Sequence, residues 1–163
     1  MQTISSVEFT AVFPSVTLGL SDAETQTLIA SLEPEEIAAG ETPIVQGTES
    51  DSLYLVWEGA LKVSVQSGTG EHEVATLTPG ALFGEVTILD PGPASATVRS
   101  DGGCRALVLP HSKLTALWTE HHKIALKLLA HLNREVTSRI RSTSIQLHQN
   151  IAKKSQAKML EVN

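Results

Sequence analysis

The sequence predicts a mainly β domain with flanking helices, an antiparallel sandwich or jelly roll that carries an N-terminal helix and a long C-terminal one. Three observations carry this. From Ile37 to Pro110 short apolar runs are punctuated by glycines at 40, 47, 59, 68, 70, 80 and 84. Many short strands with Gly and Pro turns are the pattern of antiparallel β architectures. Before and after that stretch the apolar residues follow a helical period instead. The length of 163 residues fits one main core.

The first element is a helix over Ser21–Glu36. Ser21 stands three positions before Glu24, the spacing of a reciprocal capping box, and Leu28, Ile29 and Leu32 supply the apolar stripe. Pro34 ends this helix or opens a separate turn. Strands follow at Leu53–Val56, Ala60–Val65, Val74–Leu77, Ala96–Ser100 and Arg105–Leu109. Within the second of these, Leu61, Val63 and Val65 alternate with Lys62 and Ser64, as a half-buried strand requires. After Pro110 a helix over His111–His121 places Leu114, Leu117 and Trp118 on one face. The run from Lys123 to about Met159 contains no Pro or Gly to break it. Its Leu132, Val136, Ile140, Leu147 and Ile151 are spaced 4, 4, 7 and 4 apart, a stripe suited to a partner helix. The expected organisation is an N-terminal segment at 1–19, a domain at 20–141 and a C-terminal helical extension at 142–163.

Composition narrows the function classes. A hydrophobic content of 41% with 18% charged residues excludes wholesale disorder. The single cysteine, Cys104, excludes an intrachain disulfide framework and a four-cysteine zinc site. The first basic residue is Lys62, so the start lacks the basic region of a secretory signal, and no 18-residue apolar stretch occurs. The expectation is a cytoplasmic protein with no membrane span. The net charge of −6 is uneven: residues 1–116 hold 4 Lys+Arg and 15 Asp+Glu, residues 117–163 hold 8 and 3. An acidic body with a basic end leaves three alternatives: a solvated helix face, attraction between the end and a neighbouring body, or nucleic-acid binding through Lys153, Lys154 and Lys158.

Catalytic and metal patterns are missing. No Gly-x-Ser-x-Gly, P-loop or dinucleotide fingerprint is present, and Cys104 has no partner that makes it a nucleophile. Glu71-His72-Glu73 falls in a hairpin turn, and the His-x-His with later Glu and His expected of a metal-holding jelly roll is absent. No catalytic residue, metal or firm cofactor is therefore assigned. Gly84 and Glu85, by contrast, precede the short apolar run Val86–Leu89, which fits one or two helical turns. A helix start presents unpaired amides to an anion, and a carboxylate in the same turn accepts from sugar hydroxyls.

Gly40-Glu-Thr-Pro-Ile-Val-Gln-Gly47, Asp51-Ser-Leu-Tyr-Leu-Val-Trp-Glu-Gly59, Leu77-Thr-Pro-Gly-Ala-Leu-Phe-Gly-Glu85, Ala96-Thr-Val98 and Leu107-Val-Leu-Pro110 together resemble the cyclic nucleotide-binding domain family. This is the module of bacterial catabolite activators, cyclic-nucleotide-dependent kinases and gated channels. The resemblance runs from about Leu20 to Arg141. It implies a jelly-roll β-barrel, the double-stranded β-helix also seen in cupins, and a phosphate-binding cassette after Phe-Gly-Glu. Glu85 matches the glutamate that binds the ribose 2′-hydroxyl, and Gly84 the glycine before it. Ser95 matches the small residue that donates to the phosphate, and Thr97 the later hydroxyl. In Pro93-Ala-Ser-Ala-Thr97 the arginine that pairs with the cyclic phosphate falls on Ala94.

The resemblance implies a regulatory domain, not an enzyme, with cyclic AMP (cAMP) or cyclic GMP (cGMP) as the possible ligand, held weakly or not at all. Thr137, Ser138 and Ser142 lie on the helix that covers the base in family members. Signalling is expected through the C-terminal helix, by homodimerisation or a protein partner. The alternative is an interaction or dimerisation module that has lost nucleotide binding. Because a DNA-reading winged helix-turn-helix does not follow residue 141, sequence-specific DNA binding is not expected.

Overall fold

Three short helices lead into the β region. The structure, a computed structural model, describes residues 4–68 and 70–160, with side chains described as far as Ile145, Thr143 excepted. Helix α1 (Ser6–Val12) opens on a capping box in which Ser5 and Glu8 satisfy each other's backbone amides. Pro14 starts α2 (Pro14–Thr17), where its missing N–H costs nothing. Helix α3 (Asp22–Ala30) begins with the predicted Ser21–Glu24 box. Glu24 also meets the Lys123 ammonium at 2.7 Å. That ion pair, then the Ser21 amide, lowers its carboxyl to about 2.

The predicted helix stops six residues early. Ser31 caps it, and Glu33–Ile37 forms strand β1, paired antiparallel with β7 (Thr97–Pro110) from Glu33↔Val108 to Ile37↔Cys104. β1 lies at the sheet edge, the place where a strand tolerates Pro34.

After β2 (Glu49–Ser50), the predicted strands at 53–56 and 60–65 are one element, β3 (Ser52–Ser67). The glycine between them is not a turn. Its pairing with β7 shifts register between Val56 and Glu58 and again between Gly59 and Leu61, so the strand bends without ending. Gly59 has φ +85°, and a Cβ there would stand 2.5 Å from the Gly103 carbonyl oxygen. β4 (Gly70–Leu77) pairs with β3, and β5 (Leu82–Phe83) pairs with Tyr54 and Leu55. The order β1-β7-β3-β4, with β5 on β3, makes a five-stranded antiparallel sheet, and β2 pairs with β6 (Gly92–Pro93) in a second, two-stranded one. Between β5 and β6 lies α4 (Glu85–Leu89).

Ile37, Ile44, Val56, Leu61, Leu77, Phe83, Ala94, Val98, Cys104 and Ala106 form one buried cluster, with Val63 packed on it. Leu61 and Val63 thus face inward as their alternation predicts. Ser64, of the polar set, is buried as well and donates to Glu71 Oε1 at 2.5 Å.

Helix α5 (His111–Glu120) matches its predicted span and buries Leu114 and Leu117, leaving Trp118 54% exposed. The described residues divide into two compact units at Leu129/Ala130. The second is helical to Leu160, the end of α6 (His122–Leu160). Of the predicted stripe, Leu132 is buried, Val136 half-buried and Ile140 61% exposed. The side chains of Leu147, Ile151, Lys153, Lys154 and Lys158 lie outside the described residues. Among the described residues no helix is long and apolar enough to cross a membrane.

Candidate functional site

The segment from Phe83 to Thr97 leaves the sheet and returns to it. Gly84 makes the exit: its φ of +80° is left-handed, and a side chain there would strike the Ser52 carbonyl oxygen and meet Ile44 Cδ1 at 3.5 Å. Glu85 is the first residue of α4 and is buried at 6% exposure. The buried Thr87 hydroxyl donates to the Gly84 carbonyl at 3.1 Å, and Ile88 N–H donates to the same oxygen at 3.2 Å, which closes the turn. Val86 and Leu89 turn outward, 41% and 39% exposed.

The way back is held by the stretch before β3. Ala94 N–H donates to Thr48 O at 2.9 Å, and Gly47 N–H donates to Ala94 O at 2.8 Å. Glu49 and Ser50 pair with Pro93 and Gly92, and Val98 N–H donates to Ile44 O at 2.8 Å. The Thr97 hydroxyl oxygen accepts the Gln46 N–H at 3.0 Å. Both ends of the excursion are thus gathered onto residues 44–52, Gly84 by close approach and Ala94 to Val98 by hydrogen bonds. Ser95 lies exposed in the turn between these attachments, and Thr97 is half-buried.

Gln46 is the residue that sequence reasoning missed. Its side-chain Oε1 accepts the Gln66 N–H at 2.6 Å while its own amide serves Thr97, so it ties the end of β3 to the start of β7. It stands inside the Gly40–Gly47 motif, but its partners are 20 and 51 positions away, and no local pattern marks it.

The electrostatics are one-sided. Between Phe83 and Thr97 stand Glu85 and Asp90 with no lysine or arginine. The stretch that holds the segment adds Glu49 and Asp51, which with Ser50, Pro91 and Gly92 line a hollow of about 400 Å³. Arg99 does not turn towards Ala94. Its side chain is 59% exposed and meets Asp101 at 3.8 Å, beside Lys62, which holds the same carboxylate at 2.8 Å. The hydrogen bond with Asp101 raises the Lys62 ammonium and lowers the Asp101 carboxyl, so the pair is charged at neutral pH. Ala94 instead joins the core cluster that holds Val98.

Burial pushes the Cys104 thiol up, away from nucleophilic behaviour. Glu71 and Glu73 are engaged with Ser64 and Lys62. Among the described residues no group of three or more His, Cys, Asp or Glu side chains is placed to hold a metal. On α6, Thr137 is half-buried, while Ser138 and Ser142 are exposed, Ser142 donating to the Arg139 carbonyl at 2.9 Å.

The profile of the family described as "Cyclic nucleotide-binding domain" matches residues 34–121. A CRP-like cAMP-activated global transcriptional regulator of Mycobacterium tuberculosis is 27% identical over 119 residues, which is 72% of this chain and 53% of that protein. The chain therefore spans about half the length of this curated relative. The crystal structure of a cyclic nucleotide-binding domain from Methylobacillus flagellatus superposes with a TM-score of 0.81 at 21% identity, covering 89% of this chain and 85% of the other. The Thermus thermophilus catabolite activator protein superposes at 0.71 with 28% identity, over 82% and 62% of the two chains.

Proposed function

The chain belongs to the cyclic nucleotide-binding domain family, and from that premise we propose that it is a non-catalytic regulatory domain whose ligand cassette keeps its shape but has lost its cation. The observation that carries this reading is the excursion from Gly84 to Thr97: a left-handed glycine, a one-turn helix headed by a buried Glu85, and a return fastened to residues 44–52. In this reading Glu85 accepts from a ribose hydroxyl, Ser95 and Thr97 offer hydroxyls, and Gly84 lets the backbone turn. Ala94 stands where the family places the phosphate-pairing arginine.

The size of that loss follows from charge. A hydrogen bond to a charged group contributes about 1.5–3 kcal/mol, and losing one partner of a desolvated charge pair costs about 2–5 kcal/mol. At 1.4 kcal/mol per tenfold, cAMP or cGMP is weakened by about 10-fold to several thousand-fold. Arg99 is not counted as a replacement in this reading: its side chain is 59% exposed and pairs with Asp101 at 3.8 Å.

Output runs through α6, by homodimerisation or a protein partner. Ile140 and Ile145, 61% and 57% exposed on that helix, support an interface there. The same exposed isoleucines favour a second reading, a dimerisation or interaction module that no longer captures any ligand. The single cysteine fits a reducing, cytoplasmic setting.

Calorimetric titration with cAMP and cGMP, alongside a mass measurement in solution, separates the two. Weak heats that vanish in Glu85→Gln support the sensor. No heat for wild type at millimolar nucleotide, in a chain that is dimeric, supports the module.

A further inference from the structure

The N-terminal helices and the opening turns of α6 carry opposite charge. Up to Ala30 the chain holds Glu8, Asp22 and Glu24 and no Lys or Arg. Lys123 and Lys127, four positions apart and so neighbours on the surface of α6, both reach this segment. The Lys123 ammonium meets Glu24 Oε1 at 2.7 Å, and a Cβ on Gly19 would stand 2.9 Å from Lys127 Nζ. All four residues belong to the first compact unit.

Glu24 uses both of its carboxylate oxygens. Oε2 accepts the Ser21 N–H at 2.8 Å, which caps α3, while Oε1 faces Lys123. The cap thus presets the carboxylate for the lysine, and less side-chain freedom is lost when the pair forms. Ile124, Ala125 and Leu128 of the same two turns of α6 are buried. Apolar burial is non-directional. It keeps these turns on the body without fixing their place, whereas a capped carboxylate and an ammonium meet in one arrangement.

We infer that Lys123 and Lys127 form a clasp that seats the first two turns of α6 on the N-terminal helices and opens when its charges are screened or removed. Output in the proposed function runs through α6, yet the clasp itself needs no ligand and no partner. The Lys123 and Glu24 side chains are 59% and 23% exposed. An ion pair so placed is modest in strength and sensitive to salt. The clasp is therefore a contact that is released without unfolding the body.

Hydrogen exchange of the full chain tests this, with the amides of residues 124–129 read against those of β3 and β7 at low and at high salt. In Lys123→Met and in Glu24→Gln exchange over 124–129 is expected to quicken about two- to fivefold at low salt, while β3 and β7 keep their rates. Glutamine retains an oxygen for the Ser21 amide, so the cap of α3 stays closed. High salt is expected to bring wild type to the rate of the variants and to leave the variants unchanged. Adding Lys127→Met to Lys123→Met is expected to quicken exchange further, and a double variant no faster than Lys123→Met overturns the part given to Lys127. Rates over 124–129 that stay at the wild-type value in both single variants overturn the inference, since burial alone then seats α6. So does an equal change throughout β3 and β7, or a wild type indifferent to salt.

Discussion

The Thr97 hydroxyl oxygen takes the backbone N–H of Gln46 at 3.0 Å, a contact between residues 51 positions apart. It fastens the stretch before β2 to the point where the cassette re-enters the sheet. Thr97→Val keeps the shape and leaves that amide without an acceptor, so urea unfolding is expected to show a loss of about 1 kcal/mol. Thr97→Ser keeps the oxygen and most of the stability. Equal losses in the two variants would mean that packing, not this hydrogen bond, is what Thr97 contributes.

Gly84 carries the turn into α4. Gly84→Ala places a Cβ against the Ser52 carbonyl at a φ of +80°, and about 2 kcal/mol or more of stability is expected to go. Gly40 is the control. It has a similar φ of +84° with nothing within 4 Å of the added carbon, so Gly40→Ala is expected to cost about 1 kcal/mol, the conformational part alone. Chemical denaturation of both variants makes the comparison.

His131 is 4% exposed, with its Nε2 lacking a hydrogen-bond partner. Burial, then the nearby Arg134, lowers its pKa below the ordinary 6.5, against the opposing pull of Glu135. The folded state therefore keeps the imidazole neutral where the unfolded chain would protonate it. Stability that is complete above about pH 6.5 is lost as pH falls through that value towards the folded pKa. Denaturation from pH 8 to pH 5 is expected to show this loss in wild type and a shallower one in His131→Phe. Parallel curves would assign the acid sensitivity to other groups.

Much of the fold is written locally. The Ser21–Glu24 box, the alternation from Leu61 to Val65 and the unbroken run after Lys123 each specify their element by neighbouring residues alone, and each is found in place. Where the reading departs from the structure, a distant partner decides. Glu33–Glu36 falls within the helix expected over Ser21–Glu36 and, with Ile37, becomes β1 by pairing with the distant β7. Gly59 looks like a turn and is a bend within β3, because the bulged pairing with β7 carries the strand past it. Ser64, polar and alternating with valines, is buried where the pairing with β4 shifts register between Val63 and Ser64, and Glu71 across the hairpin accepts its hydrogen bond. The cassette divides the same way. Gly84 and Glu85 stand out in sequence as a turn before a short helix, whereas Gln46 and the fate of Arg99 depend on contacts that only the folded sheet creates.

The proposed cassette differs from a working one by the charge at position 94. The affinity of Ala94→Arg for cAMP and cGMP, set against wild type in the same titration, measures this most directly. A gain of about 10-fold to several thousand-fold in the folded variant is expected. An affinity unchanged by the added guanidinium, in a variant whose unfolding matches wild type, would contradict it.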